Sequence, residues 1–374
     1  MKKEQKLHEK ARAALRHIHN GDSGRELISD KTLRKLDCDG KNIDLEIELG
    51  YPAKTQIESF RQRIRSELES LPGLGKTNVA IESRVTTHRV QQGAKQLAGV
   101  KNVIAIASGK GGVGKSTMAV NLALALADEG ARVGLLDADI YGHSIPQMLG
   151  IAGRQATSED GRLMEPLAVY GIETMSIGFF MEMDMPMVWR SPMVVQTLDQ
   201  LLFGTHWHDL DYLLIDLPSG TGEVQLSLLQ KAPICGALMV TTPQDIALAD
   251  VKKGFRLLEK NGIALLGIVE NMSIHVCPNC GYAEHIFGSG GGEQISEELD
   301  VDCLGWLPLD AQIRQFIDNG QPTLISAPDS RIADIYRSVA RKMTARLALR
   351  PEEMDESLPA FIPTQEVAAS PIAA

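Results

Sequence analysis

The sequence predicts an α/β protein: a doubly wound, mostly parallel sheet preceded by a small α/β domain. Three observations lead there. After residue 100, five short apolar runs alternate with helical patterns. A glycine-rich loop separates the first run from its helix, and the region before residue 86 carries its own strand and helix periodicities. At 374 residues the chain exceeds one typical domain. It divides into a small domain over 1–86, a linker over 87–99, a large domain over 100–350 and an acidic, proline-containing tail over 351–374 that reads as disordered.

In "NIDLEIEL", residues 42–49, Ile43, Leu45, Ile47 and Leu49 alternate with Asp44, Glu46 and Glu48, the pattern of a half-buried strand. Ile57, Phe60, Ile64, Leu68 and Leu71 then recur at helical spacing, and Pro72-Gly73 stops the helix. "TNVAIE" reads as a second strand and the polar run after it as the connection. The five later strands are "VIAIAS", "RVGLLD", "YLLIDL", "GALMVTT" and "LLGIVEN". Apolar on both faces, they suit a parallel sheet covered by helices on each side.

The formal net charge of −10 opposes non-specific adherence to nucleic acid or anionic lipid, so neither is expected as a partner. The first twenty residues have no apolar core of signal-peptide length, and no later run approaches a membrane span. A cytoplasmic location is expected. Reducing conditions there make a C-x-x-C metal-binding or redox-active rather than a structural disulfide.

"GKGGVGKST" comprises Gly109, Lys110, Gly111, Gly112, Val113, Gly114, Lys115, Ser116 and Thr117. It fits G-x-x-x-x-G-K-[ST] between a strand and an apolar-periodic helix, the context a P-loop requires, and makes the large domain a P-loop NTPase. Glycines let backbone N–H groups wrap the phosphates of ATP and the helix start adds positive potential. Lys115 is placed for the β/γ oxygens and Ser116 for Mg2+. Lys110 is either a solvated surface charge or a cation set to counter charge on a transferring phosphoryl group. Asp137, Asp139 and Asp216 follow apolar strands, where ligands of such sheets bind. They should face magnesium and the γ-phosphate, with helix capping or a turn as the structural alternative for Asp139 and Asp216.

Cys277 and Cys280 form the only close pair among five cysteines. Structural zinc sites and cubane clusters take four ligands, so two are missing. His275 and His285 flank the pair and leave a one-chain Cys2His2 zinc site open, beside a redox-active pair or a plain turn. Cys235 and Cys303 read as buried strand residues, and Cys38 as a turn residue before a strand. Asp310 is a weaker site candidate after an apolar strand.

The "GKGGVGK" loop resembles the deviant Walker A of the ATPases that include MinD, ParA and the nitrogenase iron protein. That resemblance implies that Lys110 crosses a dimer interface to the partner's nucleotide. It also implies a magnesium-binding Walker B role for Asp216, a water-orienting role for Asp139 and an adenine contact for Asn271. More narrowly, "DADIYGHSIPQMLG", "VWRSPM", "DYLLIDLPSGTGE", "VTTPQDIALADVKKG", "GIVENMS", "CPNCG", "IFGSGGG" and "DNGQP" occur in order over about residues 100–325. On these stretches the chain resembles the Mrp/ApbC iron–sulfur carrier proteins. The resemblance implies a homodimer in which Cys277 and Cys280 of each chain share a 4Fe-4S cluster on the two-fold axis, loaded by donor scaffolds and passed to recipient apoproteins, with slow ATP hydrolysis. A two-fold interface turns two ligands into four. Trp189 and Arg190 would then belong to the dimer surface. The departures are His143 and Ser191 where Pro and Gly are expected, Ser219 for the second proline of "DLPPGT", and Glu223 for Asp. They imply altered switch flexibility. The remaining alternatives are a partitioning or positioning switch of the ParA or MinD kind and a zinc-stabilised metallochaperone.

Overall fold

The computed structural model describes residues 2–353 apart from 40, 72–74, 92, 95, 159–160 and 181–189. The N-terminal module runs α1 (Lys2–Leu15), β1 (His19–Asn20), β2 (Arg25–Glu26), β3 (Leu33–Asp39), β4 (Asn42–Leu49), α2 (Ile57–Glu69) and β5 (Thr77–Ser83). Alternation along β4 buries Ile43, Leu45, Ile47 and Leu49, and Phe60, Ile64 and Leu68 of α2 belong to the same core. β4 is central, antiparallel to β3 and parallel to β5. Helix α2 ends at Glu69, while its expected Pro72-Gly73 stop lies outside the described residues. Cys38 corrects the sequence reading: it lies within β3, opposite Ile43, and not in a turn. The charged, mostly exposed "LRKLDCD" hides this edge strand because only Leu36 is buried. Likewise α1 was not foreseen, since its charged stretch offers little beyond Ala11 and Leu15 to the core.

The large domain continues with β6 (Val100–Ser108), α3 (Lys115–Asp128), β7 (Val133–Asp137), α4 (Ile145–Met148), β8 (Leu167–Val169), β9 (Ile172–Ser176), α5 (Ser191–Phe203), β10 (Leu210–Asp216) and α6 (Glu223–Lys231). It ends with β11 (Ile234–Thr241), α7 (Asp245–Lys260), β12 (Leu265–Glu270), β13 (His275–Val276), β14 (Ala283–Glu284), α8 (Gly291–Leu299), β15 (Cys303–Trp306), α9 (Ala311–Asp318), α10 (Thr323–Ser326) and α11 (Arg331–Ala348). Eight strands form one sheet, ordered β15-β12-β11-β6-β10-β7-β9-β8, parallel except for the edge strand β8. The five predicted apolar runs are its five central long strands. β11 is buried at every position and β10 at all but Asp211. Helix α3 is buried along nearly its whole length, Met118 to Leu126, because it packs against the sheet on one side and against α10 and α11 on the other. No described helix is long and apolar enough to cross a membrane.

The connection between the two units is polar in sequence yet docked. His88 N donates to Asn102 Oδ1 at 3.1 Å, Gln91 Nε2 to Leu229 O at 3.0 Å, and Glu353 N to Thr87 O at 3.0 Å. Residues 351–353 therefore pair with it; the rest of the expected disordered tail, 354–374, lies outside the described residues.

Candidate functional site

The loop from β6 to α3 wraps a cleft of about 200 Å³ at the carboxyl ends of the central strands. Lys110, Gly111, Gly112, Gly114, Lys115, Ser116, Thr117, Asp139 and Ser219 line it, together with Ser108 and Met148. Gly109 and Val113 support it from behind. A Cβ on Gly109 would lie 2.3 Å from the Asp250 backbone, and Val113 is buried. Asn271 does not line the cleft: its Nδ2 donates to Val113 O at 2.9 Å, so it braces the outer side of the loop.

Three carboxylates surround one buried lysine. Lys115 Nζ lies 2.6 Å from Asp216 Oδ1 and 3.6 Å from Asp139 Oδ2, and Ser116 Oγ donates to Asp216 Oδ2 at 2.5 Å. Asp137 sits behind them, accepting from Ser176 Oγ at 3.1 Å. Burial pushes its carboxyl up to about 8, with the Asp216 charge adding to the effect. Burial also raises Asp216, against the opposing charge of Lys115. Acids outnumber the cation here, and the Ser108 hydroxyl is buried without a partner among the described residues. A cleft of this composition fits a divalent cation carried with phosphate. Lys110 is exposed at the rim of the cleft. Asp139 makes no helix-capping side-chain bond, whereas Asp310 does: Gln312 N donates to its Oδ1 at 2.7 Å, which makes Asp310 the cap of α9 and removes it from the site.

The cysteine pair occupies a knuckle between β13 and β14. Cys277 N donates to Tyr282 O and Gly281 N to Cys277 O, each at 2.9 Å, with Gly281 at φ +72° closing the turn. The backbone N–H groups of Cys280 and Asn279, then the Cys280 side chain, hold the Cys277 thiol below its ordinary value, favouring the thiolate a soft metal needs. Cys280 is exposed. The histidines turn away from a zinc role. His275 Nδ1 contacts Leu309 O at 3.1 Å and His285 Nδ1 contacts Ser273 O at 2.6 Å. No third His, Cys, Asp or Glu joins the thiol pair in a ligand cluster among the described residues. The one-chain Cys2His2 reading is therefore not supported. Val276, Tyr282 and Ile286, 51%, 66% and 49% exposed, leave apolar surface on and beside this hairpin, with Tyr282 paired to Cys277. Sequence reasoning passed over these three because single apolar residues among polar ones carry no period that marks them as exposed. Cys235 is buried in β11, as its apolar context implies, whereas Cys303, expected to be buried, is only partly buried at the start of the edge strand β15. Arg190 is exposed at the start of α5; Trp189 lies outside the described residues.

A larger cavity of about 500 Å³ lies between the N-terminal module and α11. It shares no lining residue with the phosphate-loop cleft, and its charges include the Arg34–Glu48 pair at 2.6 Å.

The profile of a family described as NUBPL iron-transfer P-loop NTPase matches residues 99–344, and that of an iron-sulfur cluster assembly protein matches residues 8–81. An iron-sulfur cluster carrier protein of Escherichia coli (strain K12) is 46% identical over 321 residues, covering 86% of this chain and 87% of its own. The iron-sulfur cluster transfer protein NUBPL of Mus musculus is 47% identical over 283 residues, covering 75% and 88%. Among solved structures, a nucleotide-binding protein from Archaeoglobus fulgidus in complex with ADP is 37% identical. The match has a TM-score of 0.53 and covers 60% of this chain and 88% of that one.

Proposed function

We infer the function from one premise: the chain belongs to the NUBPL iron-transfer P-loop NTPase family. We propose that it is an ATP-binding iron–sulfur cluster carrier, working as a homodimer that holds a 4Fe-4S cluster between its two chains and passes it to apoproteins while hydrolysing ATP slowly. The observation that carries this reading is the knuckle itself. It offers two solvent-accessible cysteines, one biased toward thiolate, with no third ligand in reach among the described residues. A two-fold axis through such a surface supplies four thiolates.

At the nucleotide, residues 109–117 cradle the phosphates and Lys115 exchanges Asp216 for the β/γ oxygens. That exchange frees the Asp216 carboxylate, which with Ser116 would hold Mg2+, whose charge neutralises the phosphates. Asp139 orients the attacking water, and Lys110 reaches the partner subunit's nucleotide. Asn271 gives the coupling a route: its amide holds the phosphate loop at Val113, and six residues later the same segment presents Cys277. A shift of the loop on nucleotide binding would thus bear on the cysteine knuckle directly.

The test is cluster transfer from anaerobically reconstituted dimer to an apo 4Fe-4S dehydratase, with ATP, ADP or no nucleotide. Transfer at nucleotide-dependent rates is expected. Identical rates under all three would remove the coupling, and no transfer under any would remove the carrier role.

A further inference from the structure

Trp207 is buried, with its indole N–H donating to Leu202 O at 3.1 Å, so the "HWH" segment before β10 is pegged at its centre. The residues on either side of such a peg project together, and His206 and His208 do so, with ring centroids 4.4 Å apart. Glu165 meets both. Its Oε1 is 3.0 Å from His206 Nδ1 and its Oε2 3.3 Å from His208 Nε2. One ligand atom from each of the three residues lies within 4.8 Å of the others.

These separations have a chemical meaning. Metal–ligand bonds of about 2.0–2.1 Å at tetrahedral angles set neighbouring N and O ligands about 3.3 Å apart. On its other edge, His208 Nδ1 lies 3.0 Å from Glu173 Oε1, and His208 N donates to Glu173 Oε2 at 3.2 Å. A carboxylate behind an imidazole fixes the tautomer of a metal-ligating histidine and aims its second nitrogen. With Nδ1–H directed at Glu173, the lone pair of Nε2 faces Glu165, and a metal ion between them satisfies both. The backbone has already paired the two segments, since Met164 N donates to Gly204 O at 2.8 Å and His206 N to Met164 O at 2.9 Å.

We propose that Glu165, His206 and His208 bind one divalent first-row transition metal such as Zn2+, with Glu173 positioning His208. Two imidazoles and a carboxylate suit such ions, not Mg2+ or Ca2+, and the half-exposed side chains leave a coordination position to solvent. The site is separate from the thiol pair and the phosphate loop. His208 precedes β10, Asp216 ends it, and about 20 Å of strand lies between. The bound ion clasps the segments flanking the edge strand β8 to the loop after α5.

The test uses full-length, tag-free protein carrying Cys277→Ser and Cys280→Ser, stripped with chelator and titrated with Co2+ as the spectroscopic probe. One Co2+ per chain is expected, with ligand-field bands of nitrogen and oxygen ligation and no thiolate charge-transfer band. His206→Gln and His208→Gln should each lose at least a hundredfold in affinity, and Glu173→Gln about 10–100-fold. Zn2+ should raise the melting temperature of the parent but not of the histidine variants, which also shows that those variants fold. A parent that binds no Co2+ at micromolar concentration, or histidine variants that bind it equally well, would overturn the site and leave only hydrogen-bonded ion pairs.

Discussion

Gly114 sits at φ +87°, and a Cβ there would come within 2.3 Å of the Asn271 amide. A left-handed residue other than glycine costs about 1–2 kcal/mol before the clash. Gly114→Ala should therefore weaken ATP binding by an order of magnitude or more, as titration calorimetry would show; unchanged affinity would mean that the loop reorganises freely. His88 makes a different prediction. Its ring is buried, with Nδ1 at Asn102 Oδ1 and Nε2 without a partner among the described residues. Burial lowers its pKa below the ordinary 6.5, against the opposing pull of Asn102 and Glu352. The unfolded chain then takes up the proton first, so the stability contributed is present above about pH 6.5 and lost as pH falls. Between about pH 7.5 and 5.5 the wild type should lose more thermal stability than His88→Gln; equal losses would show that His88 does not report on the docked connection.

The β13–β14 knuckle hangs from two anchors, the imidazoles of His275 and His285, and beyond it the buried Glu270 at the end of β12 accepts from Gly292 N in the first turn of α8. Burial raises the Glu270 carboxyl. If the histidines are anchors, His275→Ala and His285→Ala reconstitute a full complement of iron, while Cys280→Ser does not; loss of metal in the histidine variants would restore the zinc reading. Asn271→Ala should keep cluster stoichiometry and flatten the dependence of transfer on nucleotide. Much of this was legible in sequence. The phosphate loop announces itself because glycines, lysine and hydroxyls must be contiguous, and β6, β7, β10, β11 and β12 because burial on both faces forces unbroken apolar runs. Strands β3, β8 and β9 were not legible: edge position leaves β3 and β8 partly exposed, so no clean period remains. Nor could one sequence show Asp216 held by Lys115, since 101 residues separate them and only the sheet brings them together.

At the scale of the molecule, the N-terminal module is fastened to the phosphate-loop helix. Arg341 of α11 reaches Asp22 at 3.3 Å and Thr55 Oγ1 at 3.1 Å and bonds Glu129, the C-cap that follows α3; Thr55 Oγ1 donates to Glu129 at 2.6 Å. Burial raises Asp22 despite the guanidinium, so the network is costly to form and costlier to break. Arg341→Ala leaves the fully buried Glu129 carboxylate short of its cation and should lower stability by about 3–5 kcal/mol in denaturant titrations. A loss under 1 kcal/mol would mean that water replaces the arginine. Through Glu129 the module sits one helix away from the nucleotide, and through Asn271 the nucleotide sits one short segment from the thiols. The central claim is that two chains complete one cluster. Its most direct measurement is iron and sulfide content of the size-selected dimer after anaerobic reconstitution, beside Cys277→Ser. About four irons and four sulfides per dimer, lost in the variant, is the predicted result; a full cluster on each monomer, or zinc held tightly in place of iron, would contradict it.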